Sequence, residues 1–417
     1  NPSQRQLTST DIIITNYTSL VSYLALDTAG TLIGRKQWNI SASSTEDAFY
    51  LVGSGNAITE PDSLFFRIKF LAHQNVSGQS VVEFFRAHFN NNTVPVIRQS
   101  GTLTIRPRLQ SLWQSSAANG NLPSWFGTDT ERGIGFGRIP NIESTLQNRL
   151  LVVSRATNNL NVRVLNPING SEVGTLNLTG ISGGTFAIND VGISEDGKIF
   201  VCNMTTNANT AAFKVYMWNS ETSAPVQVIN YLADATNAVR LGDKFTVVGN
   251  YLTGTAVIWA ASSTTGEYKV YKWTMSGGAF NNQPEIISLG GGLAGGIASA
   301  SVWPLSNGNF YWNANGQNLR KYSQVGTLIG IVPNNVIPTG TNAVRYLGNI
   351  GNDEFVAVFA YGSGNNNVII ARLPMGNPAD AVLYTSSPSL GSLTNINGTG
   401  DLDIKVNTDF TLSLIHI

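Results

Sequence analysis

Lys214-Val215-Tyr216-Met217-Trp218 returns further along the chain as Lys269-Val270-Tyr271-Lys272-Trp273, almost residue for residue. Both copies are short, β-branched and aromatic, which is the chemistry of a strand packed on two sides. Runs of the same kind stand at 162–165, 319–322 and 369–372, and each is preceded by an apolar partner at 150–153, 199–201, 256–259, 310–312 or 355–358. The period is about 50 residues, that of a propeller blade. Glu195-Asp196-Gly197, Ser306-Asn307-Gly308-Asn309 and Gly362-Ser363-Gly364-Asn365 supply turn chemistry between runs. Strands of this length with such punctuation form antiparallel meanders, and stacked meanders bury what one sheet leaves open.

Working outward, the repeat region from about residue 108 holds roughly six blades at this period. Leu109-Gln110-Ser111-Leu112-Trp113 is the candidate strand that closes the ring. At the other end, a strand is due near Asp409-Phe410-Thr411, but Leu412-Ser413-Leu414-Ile415-His416-Ile417 reads as a translated sequencing adapter. The genuine sequence is therefore expected to break off near Thr411, with the true C-terminus missing and the last blade lacking strands here.

Residues 1–106 lack the period. Candidate strands lie at 11–17, 20–26, 49–52, 63–71, 80–89 and 93–105, and in Leu64-Phe65-Phe66-Arg67-Ile68-Lys69-Phe70 the basic side chains share one face opposite Phe66, Ile68 and Phe70. The expected architecture is all-β: an immunoglobulin-like β-sandwich over 1–106, then a β-propeller over 107–417, with Arg106-Pro107-Arg108 as the boundary.

Composition agrees with a turn-rich β protein. Charged residues make up 12% and glycines number 42, so amides and hydroxyls must supply the polar surface. Twenty-five basic residues balance twenty-five acidic ones, leaving no field to attract nucleic acid, and no apolar run spans a membrane. The opening Asn1-Pro2-Ser3, without an initiator Met, suits a mature secreted or cell-surface protein. The single cysteine, Cys202, reads as a small buried hydrophobe.

Gly120-Asn121-Leu122-Pro123-Ser124-Trp125-Phe126-Gly127, Arg132-Gly133-Ile134-Gly135-Phe136-Gly137, Val191-Gly192-Ile193-Ser194-Glu195-Asp196-Gly197 and Arg240-Leu241-Gly242-Asp243-Lys244-Phe245-Thr246-Val247 resemble a family of secreted Bacteroidetes-type domains of unknown function with a propeller-like repeat. The resemblance covers about 108–411 and is most specific at 240–247. It implies a bacterial, exported propeller and carries no activity with it.

Catalytic chemistry is scarce. The histidines are His73, His88 and His416, so the repeats contain none, which leaves no place for a Ser-His-Asp triad there. The expectation is a protein that is not an enzyme, with no cofactor and no metal. Asp190, Asp243 and Asp353 recur near blade starts; they read as turn-fixing carboxylates, with a cation-binding ring as the competing interpretation. Gly290–Gly296 lacks any P-loop context and reads as a loop. Among the tryptophans, Trp113, Trp218, Trp259, Trp273 and Trp312 suit packing, whereas Trp125 and Trp303, each near a proline, are candidate ligand platforms.

Two functions follow from these residues. One is an extracellular, self-associating surface or filament subunit, in which the strand Asp11-Ile12-Ile13-Ile14-Thr15 pairs with a neighbouring copy. The alternative is a cell-surface module that binds glycan or protein through the propeller.

Overall fold

The computed structural model describes residues 6–17, 20–59, 64–73, 78–94, 96–105, 109, 111–117, 119–127, 129–156, 159–361, 366–391, 400–406 and 412–416. The expected boundary at 106–108, the turn at 362–365 and the strand start at 409–411 lie outside these residues. The chain divides into two compact units, 1–109 and 110–417.

In the first unit, β1 (Leu7–Thr15), β2 (Val21–Asp27), the short helix α1 (Leu32–Arg35), β3 (Asn39–Ser44), β4 (Ala48–Ile58), β5 (Arg67–Ala72), β6 (Gly78–Phe89) and β7 (Gly101–Ile105) follow in order. A five-stranded antiparallel sheet runs β3-β4-β1-β6-β7, and β2 pairs with β5. Ile12 and Ile14 alternate into a core shared with Phe49, Leu51, Tyr17 and Val21, against which Ile68 and Phe70 pack from the smaller sheet and Phe66 from just ahead of it. The expected strand at 93–105 is shorter in fact: Asn90, Asn91 and Asn92 adopt left-handed backbone and turn the chain out of β6, residues 96–100 are irregular with Arg98 donating to the Phe84 and Phe85 carbonyls, and β7 begins at Gly101. Helix α1 and strand β3 carry too few apolar residues to announce themselves.

The second unit is a series of antiparallel meanders. The first sheet holds β8 (Glu131–Pro140), β9 (Leu146–Ser154), β10 (Asn161–Leu165) and β11 (Glu172–Thr175); the second holds β12 (Phe186–Ile193), β13 (Ile199–Met204), β14 (Phe213–Trp218) and β15 (Val226–Tyr231). The third holds β16 (Phe245–Val248), β17 (Val257–Ala261), β18 (Lys269–Ser276), β19 (Ala279–Phe280) and β20 (Glu285–Ser288). The fourth is β21 (Ala298–Pro304), β22 (Phe310–Asn315), β23 (Arg320–Tyr322) and β24 (Leu328–Ile331), and the fifth β25 (Thr341–Ile350), β26 (Asp353–Ala360), β27 (Asn367–Leu373) and β28 (Val382–Ser386). Among the described residues the sixth has two strands, β29 (Leu402–Val406) and β30 (Leu412–His416), so the adapter-like residues pair in register with the strand before them.

The first strand of each sheet packs on the first strand of the next: β8 on β12, β12 on β16, β16 on β21, β21 on β25, β25 on β29, and β29 back on β8. This closed circuit of inner strands makes the unit propeller-like. The two repeating series of the sequence are the second and third strands of successive sheets, which neighbours cover on both faces. Along β13, Ile199 and Val201 enter the core shared with the first sheet, while Phe200 and Cys202 enter the core shared with the third. Trp218, Trp273 and Trp312 are fully buried in these interfaces, as the packing assignment for them and for Cys202 expects. Each contributes on the order of 2–3 kcal/mol of burial.

The segment expected to close the ring does not form a strand. Among its described residues 109 and 111–113 are irregular, and the Trp113 indole N–H donates to the Pro167 carbonyl at 2.8 Å. Trp113 and Trp125 cover Ile134, Leu150, Val152 and Leu165 on the outer face of the first sheet. Closure falls instead to β29.

Inner strands approach closely. A Cβ at Gly133 would lie 2.5 Å from the Asp190 Cα. Gly133→Ala is accordingly expected to lower unfolding stability by about 2–3 kcal/mol through overpacking, as read by urea denaturation; a change within error would show that the junction between the first two sheets yields.

Candidate functional site

Adjacent inner strands share no main-chain ladder among the described residues, so their inward N–H groups need other acceptors. Side chains supply them. Asp190 Oδ1 accepts from its own Val191 N–H at 2.9 Å, and Oδ2 accepts from Phe245 N–H on β16 at 2.8 Å. Ser301 Oγ on β21 accepts from Val344 N–H on β25 at 2.9 Å, and Thr246 Oγ1 donates to the Val302 carbonyl at 2.6 Å. At the closure, Asp401 Oδ2 accepts from Ile134 N–H and Asp403 Oδ2 from Phe136 N–H, both at 2.7 Å. Acceptors and donors advance together by two residues, so β29 and β8 run parallel and both start at the same mouth of the ring.

Cations from other sheets neutralise these carboxylates. Lys244 Nζ lies 3.1 Å from Asp401 Oδ1, both side chains being almost wholly buried, and Arg345 Nε lies 3.0 Å from Asp403 Oδ1. Burial pushes the Asp190 carboxyl well above its ordinary range, and the charge of Asp401 adds to the effect. Burial also raises Asp403, against the pull of Arg345. Burial disfavours the charged Arg345, but Asp403, Asp401 and Asp190 outweigh it and raise its pKa.

The bases of the inner strands are irregular. Register shifts interrupt β8, β12, β21 and β25 between Glu131/Ile134, Phe186/Asp190, Ala298/Ser301 and Asn342/Arg345. Ser299 and Ala343 have φ of 48° and 58° there, conformations costing about 1–3 kcal/mol each. Repeated bulges at one mouth re-aim side chains toward the axis. Two buried groups at this end lack partners: Arg132 Nη2, and both side-chain polar atoms of Asn342. The Arg155 guanidinium donates to Asn189 Oδ1 at 2.7 Å and stacks 3.7 Å from the Phe186 ring centroid.

Residues 119–287 match the family model of a domain of unknown function, DUF4623. A crystal structure of a DUF4623 family protein from Bacteroides eggerthii is similar at a TM-score of 0.55 with 14% identity, covering 83% of each chain. A fucose-specific lectin from Aleuria aurantia is similar at TM-score 0.41 and 15% identity over 76% of this chain and 92% of that one. An α-L-arabinanase from Penicillium chrysogenum is similar at TM-score 0.40 and 8% identity, over 70% and 95%. No curated protein matches. The DUF4623 stretch includes Arg132, Arg155, Asp190, Asp243 and Lys244, whereas Arg345, Asp401 and Asp403 follow it.

The residues singled out by sequence separate. Asp190 lies on the axis, and Asp243 is buried beneath Arg240, whose Nε donates to it at 2.7 Å. Asp353 instead opens β26, a second strand, accepting from Met375 N–H beside Arg372, so the three carboxylates do not form one ring. Among the described residues no group of three or more His, Cys, Asp or Glu side chains is placed to hold a metal. Trp303 lies within β21 rather than in a turn, and the Arg345 guanidinium stands 5.1 Å from its ring centroid. Trp125 does lie in a turn, half-buried, with Arg163 at 5.2 Å from its ring. Asp11, Ile12, Ile13, Ile14 and Thr15 pair with β4 on one side and β6 on the other, so β1 offers no free edge within its own sheet. Sequence reasoning missed Lys244 as an axial cation, together with Arg345, Asp401 and Asp403, since a lone charge among apolar residues reads as the solvent side of a strand and nothing local names its partner.

Arg345→Met should cost about 3–5 kcal/mol, because Asp401 and Asp403 lose a buried counter-charge; unchanged urea unfolding would remove the clasp from the account of closure. Asp190 and Asp403 titrate above their unfolded values, so the folded state holds protons that the unfolded chain has lost. Their contribution is complete below the unfolded pKa of about 3.9 and declines as pH rises through the folded values. The thermal midpoint is therefore expected to rise as pH is lowered through the raised folded-state pKa of Asp190 toward its unfolded value, and Asp190→Asn should flatten that slope. Scanning calorimetry across the range provides the check.

Proposed function

We propose that this chain is an exported, non-catalytic interaction module of a bacterial cell surface, holding glycan or protein at one mouth of a six-bladed propeller. The supporting observation is the contrast along the axis: the interior is closed by its own ion pairs, while Arg132 and Asn342 near the mouth keep buried polar atoms without partners. Such atoms are costly unless something meets them. A sequence with no histidine between 108 and 411 agrees with binding rather than acid–base turnover. Immobilised full-length protein should give saturable binding to a member of a glycan and surface-protein panel, weakened by Asn342→Leu and indifferent to Trp303→Ala. Absence of binding across the panel, or hydrolysis of a bound glycan, would overturn this function.

A second function, a self-associating structural or filament subunit, is favoured by the first unit, which we take as an immunoglobulin-like sandwich. Val52, Val81 and Phe85 stand exposed on the side of the five-stranded sheet turned away from the core, with Glu83 and the Asp11–Arg86 ion pair between them, and exposed apolar side chains of this kind invite association. Because β1 is paired on both sides, copies would join through this face, or by the β1 of one copy replacing that of another. Light scattering should then show oligomers that Phe85→Ser reduces; a monomer at every concentration rules the filament out.

A further inference from the structure

We propose that two copies of this chain pair edge to edge through β3, antiparallel about a two-fold axis at Ser41, so that their five-stranded sheets join into one. The inference goes beyond both functions above and uses a surface distinct from the Val52, Val81 and Phe85 face.

β3 (Asn39–Ser44) stands at the end of its sheet and pairs only with β4 among the described residues. An open edge is ordinarily blunted by a bulge, a proline or a charge. The outer strands of the four-stranded sheets in the second unit follow that rule: β11, β15, β24 and β28 each carry a register shift. In the first unit β5 presents Arg67 and Lys69, and its pairing with β2 is shifted as well. β3 has none of these devices. Its register with β4 is unbroken from Asn39 to Ser44, and the segment holds no charge and no proline.

The hairpin fixes which groups face outward. Thr45 N–H donates to the Ala48 carbonyl at 2.9 Å, closing the turn into β4. Bonded and non-bonded pairs alternate along an antiparallel ladder. Asn39, Ser41 and Ser43 therefore bond to β4, while Ile40, Ala42 and Ser44 aim their N–H and carbonyl groups away from it. Side chains alternate in the same step: Ile40 and Ala42 pack on the core, and Ser41 and Ser43 are exposed on the opposite face. An added strand must match both alternations. A second β3 does so when Ile40 stands opposite the partner's Ala42. The two residues then exchange main-chain bonds, their side chains meet on the core face, and Ser41 meets its own copy on the axis.

Charge selects this partner over the other edge of the sheet. Arg35 and Lys36 precede β3, and Glu46 and Asp47 follow it. Antiparallel pairing lays the basic end of each copy beside the acidic end of the other. The opposite edge, β7, is also regular but lies between Arg98 and Arg106 in the sequence, so self-pairing there opposes like charges.

The test is sedimentation velocity of the full chain over a range of concentrations at low ionic strength. A contact confined to one strand falls short of the roughly 1,200 Å² of a stable interface. A monomer–dimer equilibrium with a dissociation constant of about 10–100 µM is therefore expected, weakening as salt is added. Ala42→Pro removes an outward N–H without touching the bonds to β4 and should leave monomer. Because a proline can disturb the strand, exposed Ser41 gives an independent reading. Ser41→Lys sets two ammonium groups face to face on the axis and should weaken the dimer about fivefold, as should Ser41→Asp with two carboxylates. Mixing those two variants should restore wild-type strength or better. Phe85→Ser should leave the equilibrium unchanged. A monomer at every concentration, an open series of oligomers, or a dimer indifferent to Ser41→Lys would each overturn edge pairing. A dimer lost in Phe85→Ser but kept in Ser41→Lys would overturn it too and assign association to the exposed face instead.

Discussion

The second unit depends on how main-chain N–H groups are satisfied where parallel strands meet around an axis. Within a sheet the ladder does this work; between sheets there is no ladder, and a buried N–H without an acceptor costs about 1–3 kcal/mol. The chain answers with side chains: Asp190 to Phe245, Ser301 to Val344, Asp401 to Ile134 and Asp403 to Phe136. Carboxylates are strong acceptors, but burying them demands nearby cations, which is the place of Lys244 and Arg345. The axial charge cluster is thus a consequence of closing a ring of sheets with polar side chains.

That constraint also explains which parts of the architecture could be read from the chain. Second and third strands lie between neighbouring sheets, so nearly every side chain is apolar, and 199–201 or 355–358 stand out at once. Inner strands obey two demands, apolar contact sideways and hydrogen bonding inward, and so mix Asn189-Asp190-Val191 or Asp243-Lys244-Phe245 without any period. Their polar residues look like loop chemistry. The run 240–247 was conspicuous by resemblance, yet nothing in its pattern discloses that Lys244 meets Asp401, more than 150 residues away in the chain. Arg345 and Asp403 were hidden in the same way.

The tryptophans illustrate the opposite error. Proline beside Trp303 suggests an exposed turn, but Pro304 ends β21, where the missing N–H is harmless. Trp303 then serves as a flat support for Arg345. Trp113 and Trp125 cover the outer face of the first sheet, a surface that additional strands would cover in a ring of complete sheets. The irregular segment ahead of β8 therefore substitutes for sheet structure, a role that only the three-dimensional arrangement shows.

The bond from Asp401 to Ile134 joins residues 267 positions apart. A contact of such separation forms only after a large loop has lost its freedom, and topologies dominated by remote contacts fold slowly. Until β29 has been synthesised and has docked, the ring is an open arc with β8 and β25 each lacking a neighbour. Assembly of this unit is consequently governed by β29, and a nascent chain must hold a row of nearly finished sheets out of aggregation until that strand arrives.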